Sequence, residues 1–213
     1  MEKSNFRDWT LAKIDTVFGL EQIEQMPELD AWLSFAHTHT DYQKQLLKDL
    51  QETIELGIDG WNEAEIRNKL INPLIVFTKI DNRKFCYFLN RSLSHTLGNY
   101  ELTGIVDGMI ASGFREPDHP FFCLNEYKKE HDNAGDPAGQ ALIAMMVAQE
   151  YTNNDHPIYG CYVVGRYWYF MVLKDQKYAI SNTYVATHDS EILDIFRIML
   201  GLKFIINQRL GLL

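Results

Sequence analysis

Cysteine is scarce in this chain: Cys86, Cys123 and Cys161 make an odd number, set in apolar, strand-like contexts. That excludes a disulfide-framed scaffold, and no Cys-x-x-Cys pair offers a zinc site. The expected setting is a reducing cytoplasm. Long apolar runs are missing too. Nothing approaches the roughly 18 apolar residues of a membrane span, and the stretch from Met1 to Trp9 lacks the apolar core of a signal peptide. No membrane association is expected. Positive charge is in short supply, with 20 Lys and Arg against 29 Asp and Glu and a net charge of −9. A protein that gains most of its affinity by neutralising phosphates is ordinarily basic, so the balance counts against tight nonspecific nucleic-acid binding. The sequence shows no internal repeat, low-complexity tract, phosphate-cradling glycine loop or Ser/His/Asp nucleophile elbow.

What is present suits one domain with a full core: 46% of 213 residues are hydrophobic and 13% aromatic. The acid excess is uneven. Residues 1–60 carry 12 acids and 5 bases, residues 61–213 carry 17 and 15. Residues 1–57 read as a helical accessory region packed on the core, with Trp9, Ile14, Val17 and Phe18 as one stripe. A longer helix from near Thr40 carries Leu46, Leu47, Leu50 and Ile54. His37 and His39 lack further ligands at zinc spacing and read as a polar lead-in to that helix.

Residues 58–213 read as an α/β domain. Asn62 caps a helix whose Ile66, Leu70, Ile71, Leu74 and Ile75 share a broad face. Glu63 and Arg67 on it stand at i,i+4, the spacing of a helix-end ion pair; the other reading gives Glu63 an acidic role at a metal. Apolar, aromatic-rich segments near 83–90, 100–111 and 120–128 read as a three-strand meander. Asp136-Pro137 starts a helix that is apolar nearly all round. Its Gln140 is either a core amide satisfied by backbone or a group aimed at the site. Two strands joined by a tight turn at Gly165, a third strand and a last helix to about Arg209 complete the chain.

Carboxylates inside apolar strands need a physical reason, because a buried charge is costly without a partner. Period two places Glu126 and Lys128 on one face of their strand, and Ile105, Asp107 and Met109 on one face of the strand before. If the two strands pair, Asp107 and Glu126 converge beside the Lys128 ammonium. Two hard oxygen donors suit Mg²⁺, which takes one or two protein carboxylates and keeps several waters.

The order helix, three strands, helix, two strands, with Glu63, Asp107, Glu126-Tyr127-Lys128 and Gln140 on successive elements, resembles the PD-(D/E)xK nuclease superfamily over about residues 60–175. The segment from Asn62 to Leu74 is similar to the opening helix of the N-terminal nuclease domain of type I restriction enzyme R subunits. Val106 stands where many relatives carry proline, and Ala144 where many carry tyrosine. The resemblance implies a restriction-endonuclease-like mixed central sheet flanked by helices. It also implies Mg²⁺ (or Mn²⁺) held by Asp107, Glu126 and the Tyr127 carbonyl, with Lys128 at the attacking water and Glu63 and Gln140 in support. The implied function is a metal-dependent, endonuclease-like phosphodiesterase that hydrolyses DNA in a restriction or defence system. The alternative is a noncatalytic module of that fold, a binding or assembly partner acting through its acidic N-terminal helices.

Overall fold

The computed structural model describes residues 1–127, 135–152 and 156–213. Strand β1 (Glu2–Asn5) leads through a 3-10 turn to α1 (Leu11–Phe18), β2 (Glu21–Gln22), α2 (Pro27–Leu33) and α3 (Asp41–Gly57). A second helical run follows, made of α4 (Glu63–Ile66), a π-helical turn (Arg67–Ile71) and α5 (Asn72–Phe77). Then come β3 (Phe85–Leu97), β4 (Tyr100–Ser112), β5 (Pro120–Tyr127), α6 (Pro137–Tyr151), β6 (Ile158–Val164), β7 (Tyr167–Lys174), β8 (Lys177–Ile180), β9 (Tyr184–Val185) and α7 (Asp189–Arg209).

The described strands form one mixed sheet of nine, ordered β1-β4-β5-β6-β7-β8-β2, with β3 paired to β4 and β9 to β7. Strands β3, β4 and β5 are the expected antiparallel meander, and β5 pairs parallel with β6 across the α6 crossover. Residues 1–57 hold α1, α2 and α3 and also add two short strands that the sequence reading lacked, β1 parallel to β4 and β2 parallel to β8. Strands of four and two residues carry too little pattern to announce themselves, and only their partners make them strands.

Strand alternation divides the core in two. Phe170 and Val172 of β7 face a cluster built by α2, α3, α4, α5 and α7, while Met171 and Leu173 face a cluster built by α1 and α6. Trp32 of α2 centres the first, edge-on to Tyr159 at 5.0 Å and Phe170 at 5.1 Å. Helix α6 centres the second. Every residue from Ala138 to Gln149 is buried, which explains its lack of a polar stripe. Its N-cap Asp136 accepts from the Gly139 N–H at 3.1 Å and from the Leu11 N–H at 2.8 Å, fixing α6 to α1. Among the described residues no helix is long and apolar enough to cross a membrane.

Local chemistry sets the helix starts. Thr40 and Gln43 form a capping box on α3, and Asn62 and Glu65 form one on α4. His37 bonds Gln43 at 3.1 Å and His39 bonds the Leu193 carbonyl at 3.1 Å, so the two rings serve the start of α3 and its contact with α7.

Candidate functional site

The site begins with a break in alternation. Strands β3 and β4 pair Leu89 with Gly108 and Arg91 with Val106. Asn90, between them and opposite Asp107, has φ 51°, a left-handed conformation that Asn tolerates. Val106 and Met109, three positions apart, both enter the α6-side cluster. Met109 therefore does not share a face with Ile105 and Asp107, as strict period two requires: Met109 is buried and Ile105 is 65% exposed. The left-handed residue rotates the ribbon and turns Asp107 toward the α4–α5 run.

Arg67 meets it there. Its Nη2 donates to Asp107 Oδ1 at 2.7 Å and its Nη1 to Asn90 Oδ1 at 3.0 Å. Both partners of the ion pair are about four-fifths buried, where attraction is stronger than between surface charges. The expected i,i+4 partner, Glu63, lies one turn earlier at the first residue of α4, partly exposed. Arg67 opens the π-helical turn, whose bond runs from the Asn72 N–H back five residues to the Arg67 carbonyl. Pro73 has no N–H to offer the carbonyl four residues before it, and the wider turn accommodates that loss. Tyr87 Oη approaches Asn72 Oδ1 at 3.3 Å, and its ring covers Gly108, where an added Cβ would fall 2.6 Å from the hydroxyl. Gly108 is thus what lets Tyr87 lie beside Asp107.

β4 also forks here. Its edge pairs with β5 from Gly108 to Ala111 and with β1 from Tyr100 to Thr103. Asp107 stands one position before the last β5 rung, and Glu126 two positions beyond Leu124 on the other branch. The backbones of Glu126 and Tyr127 pair with Val163 and Val164; their side chains, and all of Lys128, lie outside the described residues. Gln140 is buried near the start of α6, its amide close to Gly135, where an added Cβ would lie 2.8 Å from Nε2. Among the described residues, no group of three or more His, Cys, Asp or Glu is arranged to hold a metal. The Cys123 thiol, fully buried in the sheet, is pushed up to about 12 by that burial, and burial raises Cys161 as well, so both are packing groups.

Arg67 and Asn90 are the site residues that the sequence reading missed in these roles. A signal was there: asparagine is depleted in strand interiors, and Asn90 sits in mid-strand.

No family model matches the chain. Over 101 residues it is 30% identical to tRNA(Ile)-lysidine synthase of Prochlorococcus marinus subsp. pastoris, a match that covers 46% of this chain and 30% of that protein. The chain thus spans less than a third of the curated relative's length. This similarity overturns the expectation of a phosphodiesterase that hydrolyses DNA. The physical reason is the motif's brevity. One Asp and a Glu-x-Lys on strands are compatible with many uses of charge, and they carry no information on which nucleic acid, if any, the site meets.

Proposed function

We propose that the chain is a tRNA-directed protein that binds folded RNA where the α4–α5 run meets the β3–β4 ribbon, around Arg67 and Asp107. The observation that carries this reading is the 101-residue similarity to tRNA(Ile)-lysidine synthase. Because the match is partial and the sequence has no phosphate-cradling glycine loop, what is carried over is the substrate class and not the synthase reaction.

The geometry supports an RNA contact in three ways. A guanidinium is suited to phosphate, since it carries five N–H donors and keeps its charge. Nη2 and Nη1 of Arg67 each give an N–H to Asp107 and Asn90, which holds the group in one orientation and lowers the ordering cost of binding. Beside it the ribbon exposes Ser92, Ser94, Thr96 and Thr103, hydroxyls of the kind that bond sugar and phosphate oxygens. The PD-(D/E)xK-like order of elements is the framework in this reading, and the cytoplasm its setting. Mg²⁺ (or Mn²⁺) belongs to the proposal. Asp107 precedes Gly108 of the last β4–β5 rung and Glu126 and Tyr127 follow its partner Leu124, and carboxylate and carbonyl oxygens are donors of the kind this ion prefers. Bound there, the ion would offset phosphate charge in an acidic protein.

The test is fluorescence anisotropy with labelled tRNA and with duplex DNA of equal length, in Mg²⁺. Wild type is expected to prefer tRNA, and Arg67→Gln to weaken tRNA binding about tenfold, the size of one good charged contact. Equal affinity for the two nucleic acids, or no tRNA binding, overturns the proposal.

A further inference from the structure

At the far end of the α4–α5 run the chain gathers cations. Lys79 has φ 51°, and Arg83 and Lys84 are exposed on the short connection to β3. Lys203 reaches them from α7. With Asp81 and Asn82 they line a cavity of about 410 Å³. Four cations meet one carboxylate in a chain whose net charge is −9, and like charges so gathered repel unless an anion joins them.

Asp81 offsets one of the four charges, and the polar side chains of this connection are held by backbone bonds. Asp81 Oδ1 accepts the Tyr87 N–H at 2.7 Å, and Asn82 Oδ1 accepts the Lys84 and Phe85 N–H groups at 2.7 and 3.1 Å. Lys203 Nζ donates to the Thr78 and Lys79 carbonyls at 3.1 and 2.6 Å, closing the end of α5. An ammonium has three N–H groups, so one is left for the cavity. Burial, and after it the charge of Lys79, holds Lys203 below the usual lysine range, a strain that an incoming anion relieves.

We propose that this cavity is a phosphate site and takes a backbone phosphate of the same RNA that reaches Arg67, an inference that rests on the tRNA reading. Two elements measure the separation independently. From Arg67 to Lys79 the helical run advances about 18 Å at 1.5 Å per residue. From Lys84 to Asn90 strand β3 advances about 20 Å at 3.4 Å per residue. The cavity and the Arg67–Asp107 pair therefore lie about 20 Å apart along β3, a distance that one RNA strand can span.

The experiment is tRNA binding as a function of salt for wild type, Arg83→Gln/Lys84→Gln and Lys48→Gln, with thermal melts to confirm folding. Both cavity substitutions are at exposed side chains. The double variant is expected to flatten the slope of log K against log salt by about 1.5, the loss of two phosphate contacts, while Lys48→Gln, at an exposed lysine of α3 outside both sites, leaves the slope in place. An unchanged slope in the double variant overturns the cavity proposal and leaves the tRNA reading standing. If wild type binds no tRNA, the tRNA reading and the RNA source fall together, and inorganic phosphate titrated into both proteins decides the rest. Saturable binding lost in the double variant then supports a free-phosphate site, and no binding ends the proposal.

Discussion

The two faces of the sheet are held by different physics. On the α1 and α6 face, apart from the Asp136 cap that ties α6 to α1, the contacts are apolar and close. An added Cβ at Gly139 would fall 2.6 Å from the Thr10 Cα, and one at Gly160 would fall 2.3 Å from the Met145 sulfur. On the other face, helices are tied by polar groups that reach backbone: Trp32 Nε1 to the Ile198 carbonyl at 2.7 Å, and Arg197 Nη1 to the carbonyls of Leu33 and Phe35 at 2.6 and 2.9 Å. That second face also carries the Arg67–Asp107 pair and the cationic cavity. A face fixed by volume is a poor place for charge, whereas one fixed by directed bonds can hold charges in defined positions.

The contrast can be tested by size of effect. Met145→Ala is expected to destabilise most, by about 3 kcal/mol, since the cavity over Gly160 is walled by sheet and helix; chemical denaturation measures it. A loss below about 1 kcal/mol would mean that this face is looser than its contacts imply. Trp32→Phe removes the N–H together with one ring of the buried indole, and should cost about 2 kcal/mol. A loss as large as that of Met145→Ala would mean that volume governs both faces.

The smallest effect concerns Glu191, which accepts from the Val185 N–H at 2.6 Å and bonds His188 at 2.7 Å. The His188 hydrogen bond, ahead of the Val185 N–H, holds its carboxyl below the usual carboxylate range. A depressed pKa stabilises the fold above the unfolded value and ceases to as pH falls through the folded one. Glu191→Gln should therefore be less stable than wild type at neutral pH, by under about 1 kcal/mol for so open a pair, and equal to it in acid. A gap that persists in acid would assign the effect to packing.

Much of the architecture was legible in the sequence. The meander, the buried helix behind Asp136-Pro137 and the hairpin at Gly165 follow from apolar runs bounded by strong turn and cap signals. The site was legible only in part. Asp107 was found because a carboxylate in an apolar strand is anomalous, but its partner was not, since Arg67 reaches it from forty positions away through a helical turn that strict 3.6-residue periodicity misplaces. The face of Met109 was misread because Asn90 breaks the alternation from the neighbouring strand. The cavity escaped because its cations come from residues 79–84 and from Lys203, and only folding adds them together. Three bases within six residues of an acidic chain were the available hint.

The fork in β4 has a consequence for self-association. Where β5 departs, the margin of β4 from Tyr100 to Thr103 is closed by Glu2–Asn5 and by nothing else among the described strands. Trimming those few residues would leave a row of unpaired N–H and C=O groups, the template on which a second molecule can add a strand. With Glu2–Asn5 in place the edge offered is a strand of four residues, a short template for such addition.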